Sequence, residues 1–246
     1  MFLESWKTKK KVIGALVCGS YVTGKPSEHS DIDLHIILSH KTSWRERGNV
    51  YVNGYLIEYF ANPPKQILNY FKDDFESGNY HSPNMFITGK ILFDKKGELK
   101  KLQELALKFK KKSFPSVGKV SLELQKYSLW DKEDNLRDLY SKNTPDFYYV
   151  YYNSLREIFE TYAKFLRFPL SSTDKTYSVL TDSFTLKKYL LSPFPDTEFV
   201  SIFKECLSLR SPFEMLKHYE KLTFYVHSNM GGFSLDGWKI RSPVEK

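Results

Sequence analysis

Cysteine is scarce in this chain of 246 residues. It has two, Cys18 and Cys206, too few and too far apart for a disulfide framework or a four-ligand zinc site. Both sit in apolar runs and read as reduced core residues. No histidine pair has zinc-site spacing either, so His29 and His35 read as surface or outer-shell groups. Long apolar runs are absent, which excludes a bilayer-spanning helix. Met1 to Lys11 carries Glu4 and a lysine cluster with no apolar stretch behind a basic head, so no export signal is read and the expectation is a soluble, cytoplasmic protein. Internal repeats and low-complexity tracts are also missing, apart from the lysine runs Lys9 to Lys11 and Lys110 to Lys112. Those read as solvated surface.

Aromatic residues, by contrast, are plentiful: 17 Tyr, 19 Phe and 4 Trp, within a composition 41% hydrophobic and 27% charged. That is the composition of a folded globular chain. Acidic charge is in deficit, 29 Asp and Glu against 37 Lys and Arg, for a net charge of +8. A basic excess raises the question of nucleic acid. Its distribution is uneven, with +7 over Met1–Lys112 and +1 over Ser113–Lys246.

The hydrophobic period changes at about the same place. Val12–Cys18, Ile32–Leu38, Val50–Phe60 and Ile91–Phe93 read as strands of a mixed sheet, with helices over 64–75 and 97–112. After Phe114, apolar residues recur three and four apart over 117–139, 147–168, 177–191, 198–209 and 212–228. The predicted fold is therefore α+β: a sheet domain over residues 1–112 and a C-terminal helical bundle over 113–246.

Val12 to Leu38 carries the chemistry. Gly19, Gly24 and Lys25 have P-loop spacing, but Pro26 stands where a magnesium-binding hydroxyl belongs and a strand follows at once instead of a helix. A second pattern uses more residues. In Asp31-Ile32-Asp33-Leu34, alternation puts both carboxylates on one strand face, about 6.5 Å apart. Paired carboxylates suit a hard divalent cation that also carries phosphate oxygens. Gly19 and Ser20 follow the preceding strand, where backbone N–H groups and a hydroxyl can bind phosphate.

Cys18-Gly19-Ser20 followed by Asp31-Ile32-Asp33-Leu34 resembles the DNA polymerase β-like nucleotidyltransferase superfamily. The resemblance implies a third acid on a following strand, with Glu58 as candidate. An acid between Ile57 and Tyr59 is costly to bury without a compensating partner. It further implies that Asp31, Asp33 and Glu58 hold two Mg²⁺ ions, and that Gly19, Ser20 and Ser30 bind the nucleotide. ATP or another nucleoside triphosphate would be the co-substrate, and Glu58 the nearest general base. The organisation is similar to small bacterial enzymes that adenylylate aminoglycosides and lincosamides, with the helical part on the acceptor side. Thr23 departs from the arginine many members carry before Gly24.

The expected partners are thus a nucleoside triphosphate and a small-molecule hydroxyl acceptor, with no membrane and no nucleic acid, and a homodimer is compatible. A regulatory or antitoxin-type nucleotidyltransferase acting on a partner protein is the alternative. In the helical part, Asp131, Glu133, Asp134 and Asp138 read either as a lure for a polycationic amine or as a salt-bridged helix face. Tyr148, Tyr149, Tyr151 and Tyr152 read as base-stacking groups or as helix core. Lys175 and the tail Trp238–Arg241 are further triphosphate candidates.

Overall fold

The computed structural model describes residues 2–241. It separates into two compact units. One runs through Ser113 and takes in Lys187–Leu191; the other comprises Phe114–Leu186 and the residues from Ser192 on.

In chain order the first unit contains α1 (Phe2–Lys7), β1 (Val12–Cys18), α2 (Ser20–Thr23), β2 (Ile32–Leu38), β3 (Glu46–Val52), β4 (Tyr55–Asn62), α3 (Pro64–Glu76), α4 (His81–Thr88), β5 (Lys90–Asp94) and α5 (Glu98–Lys110). The strands form one mixed sheet in the order β3-β4-β2-β1-β5. β2 and β4 are parallel and the other neighbours antiparallel. Local chemistry fixes the element ends. Pro64 occupies the first turn of α3, where a missing N–H costs nothing. Asp94 accepts from the backbone N–H of Glu98 (3.0 Å) and Lys100 (3.2 Å), capping α5.

The reading of Val50–Phe60 as one strand is corrected. The run folds back at Asn53 (φ 51°) and Gly54 (φ 83°), a left-handed pair that suits a two-residue hairpin between β3 and β4. The short α1 and α4 carry too few turns to declare a period, and the sequence reading passed over both.

Apolar side chains cover each sheet face. Ile13, Leu16, Cys18 and Ile37 pack with Ile67, Phe71, Phe86, Leu99 and Leu102 of the three later helices. On the opposite face, Ala15, Leu34, Ile36 and Leu38 pack with Trp6 of α1. Several lysines of the basic runs lie over rings: Lys9 is 3.5 Å from the Trp6 centroid and Lys112 4.1 Å from that of Phe109.

The second unit is helical: α6 (Lys119–Lys142), α7 (Asp146–Phe165), α8 (Thr176–Thr181), the start of α9 (Ser183–Lys188), α10 (Thr197–Ser208) and α11 (Pro212–Asn229). The single helix expected over 177–191 is broken at Asp182, whose carboxylate instead accepts from the N–H groups of Phe184 and Thr185. Asp196 caps α10 through the Phe199 N–H (2.9 Å) and also accepts from the Tyr162 and Tyr225 hydroxyls. Tyr151 is buried and donates to the Cys206 carbonyl at 2.8 Å, whereas Tyr148, Tyr149 and Tyr152 are exposed. Both cysteines are buried and unpaired.

Two stability predictions follow from this packing. A Cβ on Gly89 would lie 2.5 Å from Leu16 Cδ2 and 2.7 Å from the Met85 carbonyl oxygen, so Gly89→Ala is expected to cost about 1–3 kcal/mol through overpacking, read as a lower urea midpoint. His227 is held neutral, its pKa lowered first by burial and then by the Lys126 charge, against a 3.0 Å contact between Nε2 and the Lys126 carbonyl. A folded-state value below the unfolded one means that stability is full above about pH 6.5 and falls as acid protonates the unfolded chain preferentially. Thermal midpoints from pH 7.5 down to 5 are expected to fall less in His227→Gln than in the parent.

Candidate active site

The acids converge because of strand register. β2 and β4 pair in parallel with Asp33 opposite Glu58. Asp31 lies just before β2, two residues from Asp33 and so on the same side. One carboxylate oxygen from each of Asp31, Asp33 and Glu58 lies within 4.8 Å of the others, and all three residues are half-buried. Such a set of hard oxygen donors, close together and partly dehydrated, fits a magnesium-type cation. The acids' field is felt locally: burial first, then the charges of Asp33 and Asp31, push the Cys18 thiol far above its usual pKa.

Gly19 is dictated by this cluster. It follows β1, antiparallel to β2, where Cys18 pairs with Asp33. Its φ is +77°, and a Cβ there would fall 2.0 Å from Asp33 Oδ2. Only glycine brings the main chain this close to the carboxylate. The Gly19 carbonyl accepts from the N–H groups of Val22 and Thr23 and from Thr23 Oγ1 at 3.0 Å. Thr23, the departure from the family pattern, thus closes the α2 turn. The first N–H groups of that turn, those of Ser20 and Tyr21, precede the hydrogen-bonded ones. Ser30 closes the loop ahead of Asp31: its hydroxyl accepts from the Ser27 N–H at 2.8 Å.

Arg47 on β3 is a feature the sequence reading missed. Its Nε and Nη2 both donate to Glu58 Oε1, at 3.0 and 2.5 Å, and its guanidinium sits 5.0 Å from the Phe60 ring centroid. The alternation of Arg47, Asn49 and Tyr51 is the sequence signal for it, and a strand that begins only at Val50 leaves Arg47 and Asn49 out.

Of the two alternatives for His35, surface or outer-shell group, its burial excludes the surface. It is 7% exposed, stacks on Phe60 at 5.2 Å between centroids, and neither ring nitrogen has a hydrogen-bond partner among the described residues. Burial, with a smaller effect of the His81 charge, lowers its pKa to about 4. Facing the same side as Asp33, it is a neutral ring in the floor next to the acids. His29 is exposed beside Glu28.

The candidates in the helical unit belong to that unit's own structure. Arg137 bonds both Glu133 and Glu220, Lys142 bonds Asp138, and Asn135 bonds Asp131. The acid cluster is therefore largely engaged in internal pairs. Trp238 stacks on Tyr127 at 4.5 Å, and Lys175 lies 3.7 Å from Asp174.

Among the described residues, no helix is long and apolar enough to cross a membrane. Comparison with known proteins adds three findings. No curated protein matches the chain. A solved structure of a nucleotidyltransferase-like protein from Exiguobacterium sibiricum 255-15 is similar over 92% of this chain and 71% of its own, at 11% identity and a TM-score of 0.48. Residues 3–98 match the family model described as polymerase beta, nucleotidyltransferase, a span that contains the glycine turn and all three carboxylates. Over this segment the resemblance to the DNA polymerase β-like nucleotidyltransferase superfamily is borne out.

Proposed function

We propose that the protein transfers a nucleoside monophosphate, AMP from ATP, to a hydroxyl of a small-molecule acceptor, with pyrophosphate leaving as the hydroxyl oxygen bonds the α-phosphorus and Glu58 as the nearest base for the hydroxyl proton, in the manner of an EC 2.7.7-type transferase with Mg²⁺ at the acid cluster. The observation that carries this reading is the convergence of Asp31, Asp33 and Glu58 within 4.8 Å beside a glycine turn that no side chain can occupy. Bound magnesium supplies charge neutralisation on the triphosphate and a lower pKa for the attacking hydroxyl. The chain supplies the rest. Asp31 and Asp33 bind cations through their carboxylate oxygens. Glu58 contributes Oε2, because Oε1 is taken by Arg47. The N–H groups at the start of α2 and the Ser20 hydroxyl hold phosphate oxygens on the β1 side of the acids. The half-buried acids and the neutral His35 in the floor keep local water low, which strengthens every charge interaction at the α-phosphorus.

The acceptor is a separate question from the chemistry. Aminoglycoside- and lincosamide-like compounds are the acceptors that the resemblance suggests. The ion pairs of Glu133 with Arg137 and of Asp138 with Lys142 support the reading of those two acids as a salt-bridged helix face.

Two outcomes test the reading. The double variant Asp31→Asn, Asp33→Asn is expected to lose Mn²⁺ binding, measured by electron paramagnetic resonance, and to lower nucleotidyl transfer by about a hundredfold or more. Metal and nucleotide binding retained at parental affinity would overturn the metal assignment. Gly19→Ala is expected to lose nucleotide affinity while its far-ultraviolet circular dichroism stays parental, since the added carbon strikes Asp33 and little else. For acceptor type, labelled ATP incubated with amino sugars, lincosamides and phosphorylated sugars is read by mass. Label carried only on protein would overturn the small-molecule reading.

A further inference from the structure

The sheet gives the site two ends. The glycine turn lies on the β1 side of Asp33, and Glu58 lies on the β4 side. Beyond Glu58 there is one more strand, the edge strand β3. Its register sets Arg47 opposite Phe60, Asn49 opposite Glu58 and Tyr51 opposite Leu56. Directly paired residues share a sheet face, so Arg47, Asn49 and Tyr51 all stand on the face that carries the acids. Over 47–52 these three are the exposed positions, while Gly48, Val50 and Val52 are half-buried on the other face. Tyr51 is 74% exposed. In an ordinary edge strand, such residues are solvated and mobile. Arg47 is not: its plane lies against Phe60 and one edge is pinned on Glu58 Oε1, yet the side chain remains 70% exposed. Its Nη1 donors are turned to neither partner. A guanidinium fixed this way, with donors to spare, is an arrangement suited to a bidentate oxyanion.

Resting on the nucleotidyl-transfer reading, we propose that Arg47, Asn49 and Tyr51 form the acceptor ledge of this site, and that the acceptor carries an oxyanion, a phosphate or a carboxylate, close to the hydroxyl that is modified. Arg47 binds the oxyanion, Asn49 hydrogen-bonds the sugar or polyol next to Glu58, and Tyr51 covers its flat or apolar side. The hydroxyl then lies beside Glu58 Oε2, on the opposite side of the acids from the departing phosphates. A polycationic amine is disfavoured at this ledge because it would meet Arg47 at the third acid, within a segment of net charge +7. The oxyanion approaches once cations have neutralised the carboxylates, so magnesium favours its binding.

The test uses the full chain with magnesium and α,β-methylene ATP, which cannot transfer its nucleotide. Glucose 6-phosphate, glucuronate, glucose and kanamycin are titrated in turn, and the Nε–H resonance of Arg47, assigned by its loss in Arg47→Gln, is followed by NMR. Glucose 6-phosphate or glucuronate is expected to shift this resonance, with glucose and kanamycin at least about tenfold weaker. With affinities in the variants read by isothermal titration calorimetry, Arg47→Gln is expected to weaken the oxyanion about tenfold to a hundredfold, and Arg47→Lys to restore part of it. Tyr51→Ala is expected to weaken all sugars together. Kanamycin or glucose binding as tightly as the oxyanions, or oxyanion affinity unchanged in Arg47→Gln, overturns the proposal. The Asp31→Asn, Asp33→Asn variant separates the two readings. Nucleotide binding that ignores those changes overturns the transfer site. The Arg47 shift with glucose 6-phosphate is expected to persist in that variant, and its loss there means that metal alone held the anion and overturns the ledge.

Discussion

Three carboxylates held within 4.8 Å of one another repel, and each loses some hydration on being half-buried. No flexible loop would hold them so: free chains would swing the charges apart. Here two of the acids are rungs of adjacent parallel strands, Asp33 and Glu58, fixed by the ladder between β2 and β4. Much else in the first unit follows from that constraint. Gly19 is a glycine because Asp33 fills the space of a side chain. Arg47 relieves part of the repulsion from outside, through Glu58 Oε1. The strands stay put because both sheet faces are sealed by apolar packing, the three later helices on one and Trp6 of α1 on the other.

The same constraint gives the basic charge a more specific reading. The +7 of the front segment suggested a phosphate environment, yet several of its lysines lie over aromatic rings, Lys9 on Trp6, Lys110 on Tyr80 and Lys112 on Phe109. In each the ammonium group itself lies over the ring, and burial lowers the Lys110 pKa to about 8. Arg47, which bonds Glu58 of the acid cluster, lies outside both lysine runs. Net charge describes a field, whereas this contact is geometrically fixed.

What the sequence made legible follows the strength of local signals. β1, β2, α3 and α5 were readable because short apolar runs, and for α3 the proline at its start, mark them within a few residues. Gly19, Asp31 and Asp33 were readable because they lie in one continuous stretch with strand spacing, and Glu58 because it is an acid inside an apolar run. Arg47 and His35 were not. Their roles depend on pairing across strands, with Arg47 reaching Glu58 eleven residues away and His35 meeting Phe60 and Phe86, and single-chain periodicity carries no information on which strands are neighbours. The hairpin at Asn53-Gly54 was legible in principle. Reading it as continuous strand hid the alternation that sets Arg47, Asn49 and Tyr51 on one face.

That alternation bears on how one scaffold can serve many acceptors. A change at Asp33 or Gly19 disturbs a central strand, its ladder and the helices packed on it. A change at Asn49 or Tyr51 disturbs little, because β3 bonds one neighbour and these side chains are exposed. Substitutions at such positions usually alter stability by less than about 0.5 kcal/mol. Recognition placed on an edge strand can therefore be altered while the clustered acids stay rigid. The exception is Arg47, which couples the two: it reaches outward from the edge and inward to Glu58. Any acceptor group that draws on its guanidinium also bears on the orientation of the third acid, so that binding and the geometry of the reacting centre are linked through one side chain.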